Sequence, residues 1–416
     1  MPESAIQEGS DLTSLSRQPA YQDTMQTRLD RRYTNARAER DATQPRTFST
    51  AAVYAIFVGW TLFSVFIYSH FSQLGDANSY LSGAYEETGE ARTYFVTLLA
   101  TRLMALVHVD LIAHLVYSLF AASGVAYMVR QARVHDGYRW ALLAILLCPN
   151  FGVWASVIGR EALFIGMLGF FMGAVIGYFT DRGLHRLLLA LACVAGMVFI
   201  RAPYGIGAGL FLLMFLVYMW GPRTQLSVGV QFLGFAAVAA FVLYLAWPTI
   251  DDYIAGDVLP KAKTFFTINS DTTRLWMNLT TTPQLFRTLW WTLPMALVGP
   301  TPGEVMARPL MLPFFLSGVM VLCVLLFSLH AAWRQSPPGL LRKILVLGWM
   351  PSLLLILVSY VPFGVYNPGS GIRYESCFLL FLILPSMFIS AVTAEEPEAP
   401  SIGVIPRGEE WRVLVH

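Results

Sequence analysis

Charged residues are scarce in this chain of 416 residues: they make up 13% of it, while hydrophobic residues make up 56%. Soluble domains carry about 25% charged residues, so this balance excludes a soluble enzyme. The net charge of +2 is too small to indicate a nucleic-acid partner. With a mean hydropathy of +0.56, the sequence predicts an all-α polytopic membrane protein.

Cysteine is also scarce, and its positions exclude two kinds of site. The four cysteines lie inside apolar runs and lack the spacing of metal ligands, so we predict neither a disulfide framework nor a metal site. They are Cys148, Cys193, Cys323 and Cys377. The sequence contains no P-loop and no dinucleotide fingerprint, and therefore no cofactor is predicted.

Apolar runs recur between residues 50 and 393, and ten of them approach the roughly 20 residues that a membrane-spanning helix needs. The predicted spans are 50–71, 110–130, 140–158, 161–180, 186–200, 203–220, 226–247, 310–332, 343–361 and 375–393. Glycines at 205, 207 and 209, which follow Pro203, predict a short or broken helix near the outer surface.

This predicted transmembrane domain, residues 50–393, lies between two polar tails. The N-terminal tail, residues 1–49, is rich in arginine, and the C-terminal tail covers residues 394–416. Because positively charged segments stay on the cytoplasmic side, both termini are predicted to be cytoplasmic. The two larger outer segments are then 72–109 and 248–309.

One apolar run, 93–107, is short for a span and contains Arg102. If this run crossed the membrane, the next loop, with Arg130, Arg133 and Arg139, would face outside, against the positive-inside bias. We therefore predict that 93–107 is an interfacial or re-entrant helix at the outer face.

Three very short outer connections each contain an arginine, namely Arg160, Arg201 and Arg373. The positive-inside bias and the cost of a charge near the interface both disfavour arginine there. A shared anionic ligand accounts for all three, because a guanidinium group pairs two phosphate oxygens and stays protonated. The alternative is that each arginine only reaches lipid headgroups.

Two carboxylates accompany these arginines: Asp76 in the first outer segment and Glu161 beside Arg160. Either is a candidate general base, since a sugar hydroxyl is a poor nucleophile until its proton is taken up. The structural alternatives are that Asp76 caps a helix and that Glu161 complements a helix dipole.

The outer segment 248–309 mixes charged with aromatic residues and is long for a plain connection. Lys261, Lys263 and Arg274 are predicted to bind substrate there, because aromatic faces beside cations suit sugar rings and phosphates. The same composition also suits an interfacial helix among lipid headgroups, and both interpretations stay open.

These motifs resemble those of bacterial envelope polysaccharide polymerases (Wzy- or EpsG-like) and of lipid-linked-sugar glycosyltransferases with a GT-C-like fold. The matching positions are Asp76 with Tyr80, Pro149 followed by Gly159-Arg160-Glu161, Arg201, and Arg373-Tyr374. A paired acidic motif in the first outer loop, which many GT-C enzymes carry, is missing, and this favours the polymerase-like branch. Tyr80 and Tyr374 thereby join the predicted substrate-binding residues, as does Tyr204 from the connection after Arg201.

The resemblance implies a GT-C-like or polymerase-like bundle in the bacterial inner membrane. It implies a glycosyltransferase, of the kind that polymerises exopolysaccharide or O-antigen repeat units, with a polyprenyl-phosphate- or diphosphate-linked saccharide as donor on the outer face. The alternatives are a transporter or flippase of lipid-linked oligosaccharide, and a structural subunit that assembles with other envelope polysaccharide proteins. Arginines confined to one face favour the enzyme.

Overall fold

The computed structural model describes residues 47–85, 90–221, 226–267 and 273–394, and every regular element in these ranges is helical. The predicted polar tails lie almost entirely outside the described residues. The cytoplasmic location of both termini therefore stays a prediction.

The helices divide into long apolar segments and shorter pieces between them. In chain order they are α1 (Thr50–Phe66), α2 (Ala77–Leu81), α3 (Ala91–Val107), α4 (Asp110–Ala132), α5 (Asp136–Leu146), α6 (Pro149–Ala155), α7 (Arg160–Asp181), α8 (Leu184–Ile200), α9 (Ala202–Trp220), α10 (Val228–Tyr253), α11 (Leu259–Thr267), α12 (Thr282–Val298), α13 (Pro302–Ala307), α14 (Leu312–His330), α15 (Leu340–Lys343), α16 (Met350–Tyr366), α17 (Pro368–Ser376), α18 (Leu379–Leu382) and α19 (Leu384–Thr393). Single 3₁₀ turns lie at Tyr68–His70 and Pro309–Met311, and π-helical turns at Ile254–Val258, Ala331–Gln335 and Ile344–Trp349.

Seven helical segments of the described residues are long and apolar enough to cross a membrane, as expected for an all-α polytopic membrane protein. They are Thr50–His70, Asp110–Ala132, Arg160–Asp181, Ala202–Trp220, Val228–Thr264, Pro309–Gln335 and Leu340–Tyr366. Each of the seven overlaps one of the ten predicted spans.

The other three predicted spans are short or interrupted. The run 186–200 lies in α8, which has 17 residues. The run 140–158 is divided between α5 and α6, because Pro149 begins a new helix. The run 375–393 is divided among α17, α18 and α19. The count of ten spans therefore stays a prediction.

The prediction of a short or broken helix after Arg201 is wrong, because α9 continues without interruption. Gly205 serves packing instead. A Cβ atom there would overlap backbone atoms of Met197 and Val198 in α8. Gly205 thus allows α8 and α9 to form a close hairpin with Arg201 at its tip.

The helix that begins with α10 continues past its predicted end at residue 247, so much of the predicted outer segment 248–309 is helical. Pro248 lies inside α10, and the π-helical turn Ile254–Val258 joins α10 to α11. A proline removes one backbone hydrogen bond but does not end this helix. Its 37 residues from Val228 to Thr264 extend about 55 Å at 1.5 Å per residue.

Helix α3 begins and ends at the same end of the bundle. Glu90, just before α3, lies 3.8 Å from Arg160. His114, one turn after the start of α4, accepts a hydrogen bond from the backbone of Ile158, 3.0 Å away. Ile158 lies just before α7 and Arg160 begins it, so the chain leaves this region and returns to it. The interfacial location of α3 stays a prediction.

The last three helices lie in the interior and position the site. Every residue from Glu375 to Ala391 is buried. The indole of Trp349 donates to the carbonyl of Phe381 at 2.8 Å. Helix α7 packs closely on α4, since a Cβ at Gly169 would overlap the backbone of Gly124. At the start of α7, His114 of α4 contacts Ile158 and Arg373 of α17 contacts Glu161, so this helix begins between α4 and α17.

Candidate anion-binding site

Glu161 lies at the centre of a charged cluster at one end of the bundle. The cluster consists of Asp76, Arg160, Glu161, Arg201 and Arg373. It occupies the first turn of α7, where the helix dipole favours a carboxylate, and its side chain is 3% exposed. Its Oε1 accepts hydrogen bonds from Arg201 Nη2 and from Arg373 Nε, the latter at 2.6 Å. Two guanidinium groups therefore share one buried carboxylate.

The connection before Glu161 is held in place by neighbouring elements. His114 fixes the backbone of Ile158 through the hydrogen bond described above. Gly159 precedes the helix, and a Cβ atom there would lie 2.7 Å from Glu161 Oε2. The carboxylate is therefore positioned by the backbone around it as well as by the arginines.

Arg373 joins Glu161 to Asp76. Arg373 Nη2 donates to Asp76 Oδ2 at 2.7 Å, and the Tyr85 hydroxyl lies 3.5 Å from Asp76 Oδ1. Asp76 occupies the N-cap position of α2, as the capping alternative predicted, but its side chain makes no capping hydrogen bond. Gly75 has a φ of 61°, and a Cβ there would lie 2.7 Å from Arg373 Nη1. Only glycine suits both this conformation and this close approach.

Arg201 and Tyr374 form a cation–π pair. The guanidinium carbon of Arg201 lies 4.2 Å from the centre of the Tyr374 ring, within the range of such interactions. Tyr204 lies in the first turn of α9, three residues after Arg201. The centre of its ring lies 6.2 Å from that of Phe164 and 5.5 Å from that of Phe378. Tyr204 thus packs among aromatic rings beside the cluster.

Arg160 is the arginine least committed to a carboxylate. Its Nη1 lies 3.8 Å from Glu90 Oε2, while Glu90 also accepts hydrogen bonds from Arg92 and Thr93. The bond from Arg92 is the main cause that lowers the pKa of Glu90. Arg160 Nε is buried and has no hydrogen-bond partner among the described residues. Its guanidinium group therefore retains free hydrogen-bonding capacity.

The cluster carries a net positive charge. Arg160, Arg201 and Arg373 contribute three charges and Asp76 and Glu161 cancel two, which leaves one. Arg373 pairs with both Asp76 and Glu161, and these carboxylates favour its charged form. The arginine therefore stays charged at every physiological pH.

Four buried hydrogen-bond donors of this region have no partner within the described residues. They are Tyr80 Oη, Trp154 Nε1, Arg160 Nε and Arg201 Nε. The Trp154 ring lies 5.8 Å from the guanidinium carbon of Arg373. A buried donor without an acceptor costs about 1–3 kcal/mol and is rare in folded proteins. Four in one region indicate a site built for an acceptor-rich group.

Tyr80 belongs to this region by its electrostatics as well as by its burial. Its side chain is fully buried, and the charges of Arg160, Glu161, Asp76 and Arg373 all act on its hydroxyl. Burial raises the pKa of Tyr80 to about 12. Its hydroxyl is therefore protonated at neutral pH and available to donate.

Sequence reasoning missed a second buried polar pair, Asn150 and Glu375. Asn150 Nδ2 donates to Glu375 Oε2 at 3.2 Å, and both residues are buried. Asn150 Oδ1 and Glu375 Oε1 have no partner within the described residues. Glu375 follows Arg373 by two residues on α17. The only signal in the sequence was a polar residue beside an apolar run.

Lys261 and Lys263 contact residues outside the cluster. Lys261 pairs with Asp257 at 3.2 Å, and Lys263 donates to Asn278 at 3.1 Å. Both lysines are exposed. Their predicted role in substrate binding therefore rests on the sequence alone.

Arg274 acts as a clamp between three segments of the chain. Its guanidinium group makes two hydrogen bonds of 2.7 Å with Glu304 and one of 2.6 Å with the carbonyl of Gly299. Its backbone donates to the carbonyl of Tyr366 at 2.8 Å. Burial alone would raise the pKa of Glu304, but the hydrogen bonds from Arg274 and Thr301 outweigh it and lower this pKa.

A cavity of about 260 Å³ lies beside this clamp. It is lined by Thr273, Arg274, Trp276, Glu304, Ala307, Arg308, Met311 and Pro368. Because Pro368 begins α17, this cavity lies about five residues along that helix from Arg373. Within the described residues no group of three or more His, Cys, Asp or Glu side chains has the arrangement of a metal site.

Comparisons of the chain with protein-family models, with curated proteins and with solved structures gave no match. The functional interpretation therefore depends on the residues of the cluster.

Proposed function

We propose that this chain is a membrane glycosyltransferase of the polysaccharide-polymerase type, which uses a polyprenyl-phosphate- or diphosphate-linked sugar donor. The observation that carries the proposal is the convergence of Arg160, Arg201 and Arg373, from three distant short connections, around two carboxylates. Arginines gathered at one end of the bundle favour an enzyme over a passage that would place cations through the depth of the membrane.

The unpartnered donors support a phosphate as the bound group. A phosphate or diphosphate offers many acceptor oxygens. Tyr80, Trp154, Arg160 and Arg201 offer donors that have no acceptor in the described ranges of the chain. As the bond between the anomeric carbon and the phosphate oxygen breaks, charge develops on the leaving phosphate. Donors already held in place stabilise that charge most in a site that excludes water.

Asp76 is the better placed general base of the two carboxylates. Its side chain is 30% exposed, against 3% for Glu161. In the proposed step, Asp76 takes the proton of the acceptor hydroxyl while that oxygen bonds to the anomeric carbon and the lipid phosphate leaves. Glu161 is a positioning residue, because it holds Arg201 and Arg373 together.

The proposal includes a topology. Helix α8, the pair α5 and α6, and the group α17 to α19 complete ten crossings in the bacterial inner membrane, and the cluster lies at the outer face. Both termini are then cytoplasmic. In this arrangement the donor lipid reaches the arginines from within the outer leaflet.

The test is transfer by the purified protein, assayed with a panel of polyprenyl-diphosphate oligosaccharides and with product analysis by mass. We expect Arg160→Ala to lower kcat/KM by roughly one to two powers of ten, because a charge-assisted hydrogen bond contributes about 1.5–3 kcal/mol. Arg160→Lys should not restore activity if the phosphate contact is bidentate. Tyr80→Phe should lower activity without loss of stability, because no described residue hydrogen-bonds to its hydroxyl.

The matched control is Arg102→Ala, which removes an exposed arginine of α3. It should leave transfer unchanged. Wild-type product yield from the alanine variants of Arg160, Arg201 and Arg373 at equal expression would contradict the proposal and leave these residues as headgroup anchors.

A further inference from the structure

A second cavity, of about 330 Å³, lies far from the arginine cluster. It is lined by Val228, Gly229, Trp333, Arg334, Arg342 and Val346. Two arginines and one tryptophan thus face a cavity whose other lining residues are apolar. No carboxylate is among the lining residues.

This cavity lies at the opposite end of the bundle from the cluster. Helix α9 starts directly after Arg201 and crosses to Trp220, and α10 begins at Val228 on that far side. Helix α14 ends near the same place, before Arg334. If the cluster is at one membrane face, the cavity is at the other.

Within the part of the chain that the structure describes, no carboxylate pairs with either arginine of this cavity. Arg342 donates to the carbonyl of Ser336 at 2.6 Å and 3.2 Å, which fixes its guanidinium group. Arg334 is exposed, and no ion pair within the described residues involves it. The first backbone N–H groups of α10, at Val228 and Gly229, add partial positive charge.

We propose that this cavity binds the phosphodiester headgroup of an anionic phospholipid from the leaflet opposite the cluster. The cations favour a phosphate, and the surroundings favour a lipid over a soluble phosphate. Trp333 is 45% exposed, which suits the aromatic belt of a membrane interface. Helix α10 extends away from the cavity, and none of its residues is buried by other parts of the described chain. Acyl chains can lie along this exposed apolar surface.

This site is independent of the proposed glycosyl transfer. Its ligand is a resident lipid of the membrane, and its function is to anchor α10 to the junction between α14 and α15. The proposal would stand if the chain were a transporter or a structural subunit, because binding is measured without any reaction.

The experiment is native mass spectrometry of the full-length protein in detergent, titrated with phosphatidylglycerol or with phosphatidylcholine. We expect retention of phosphatidylglycerol over phosphatidylcholine. Arg334→Ala should weaken phosphatidylglycerol binding about fivefold, the effect of one basic residue at a membrane surface. Arg342→Lys should weaken it while the protein stays folded. The matched control is Arg130→Ala, an exposed arginine of the same face that does not line the cavity.

Three outcomes would overturn the proposal. Equal retention of both lipids would remove the anionic requirement. An equal loss in Arg130→Ala and Arg334→Ala would show a general surface charge and no site. Displacement of phosphatidylglycerol by inorganic phosphate at millimolar concentration would identify free phosphate as the source of the bound group.

Discussion

One buried carboxylate, Glu161, pairs with both Arg201 and Arg373, and the two carboxylates of the cluster consequently differ in what their loss would do. Glu161 is almost fully buried between Arg201 and Arg373. Asp76 pairs with Arg373 alone and remains partly exposed. Stability should therefore depend mainly on Glu161, and turnover mainly on Asp76.

We expect Glu161→Gln to lower stability by about 3–5 kcal/mol, the usual cost of removing one partner of a buried ion pair. Asp76→Asn should retain the fold and donor binding but lower turnover by roughly two to four powers of ten, as for the loss of a general base. Thermal unfolding in detergent and transfer kinetics measure the two effects, with Asp110→Asn as an exposed control at the same end. Full turnover by Asp76→Asn would exclude it as the base.

The residues of the cluster were predictable to different degrees. Arg160, Arg201 and Arg373 stand out in the sequence because short outer connections disfavour arginine. Trp154 and Asn150 lie inside an apolar run, and the sequence does not distinguish them from residues that only fill the core. Their polar atoms gain a role only when the fold brings α6 beside α17. The sequence identifies a charged residue in a short connection, because its burial is costly in free energy. It does not identify a polar residue that becomes buried only when the helices pack.

Among the elements, the hairpin of α8 and α9 sets the position of Arg201. Its two helices are separated by a single non-helical residue, Arg201 itself. The sequence located this turn correctly. The role of Gly205 was not predictable, because a glycine that permits close helix contact and one that breaks a helix look alike in sequence.

We expect Gly205→Ala to separate α8 from α9, since the new Cβ would overlap the backbone of Met197 and Val198. Overpacking of this kind costs about 1–3 kcal/mol, and the displaced Arg201 should lower kcat/KM at least tenfold. The control is Gly234→Ala in α10, which meets open space and should stabilise the helix by up to about 1 kcal/mol. Equal thermal stability of the two variants would argue against the hairpin packing.

At the scale of the whole molecule, hydropathy predicted the fold class and the seven described helical segments that are long and apolar enough to cross a membrane. It could not resolve the interrupted segments, because 140–158 and 375–393 look like single apolar runs in the sequence, whereas the structure divides them between α5 and α6 and among α17, α18 and α19. A long apolar run does not show whether its helix is continuous. The end of α10 was also missed, since Pro248 and the charges after it are typical of a loop.

The arrangement of faces is testable by labelling single cysteines introduced into a Cys323→Ser background, because the other three cysteines are buried. Ser72→Cys and Asp110→Cys should both react with a membrane-impermeant maleimide from the outer side, since α3 returns to the end where it began. His185→Cys, between α7 and α8, should react only after the membrane is permeabilised. Labelling of Ser72→Cys and Asp110→Cys from opposite sides would mean that α3 crosses.

The sharing of Glu161 between two arginines also has a consequence for biogenesis. Arg201 leaves the ribosome about 40 residues after Glu161, but Arg373 follows only some 170 residues later. At about 5–20 residues per second, the nascent chain waits roughly 10–35 s for that last partner. During this interval Asp76 has no arginine to pair with, although α1 has already been made. A chain that ends before Arg373 would keep this defect permanently, and membrane quality-control proteases should recognise it as unfinished.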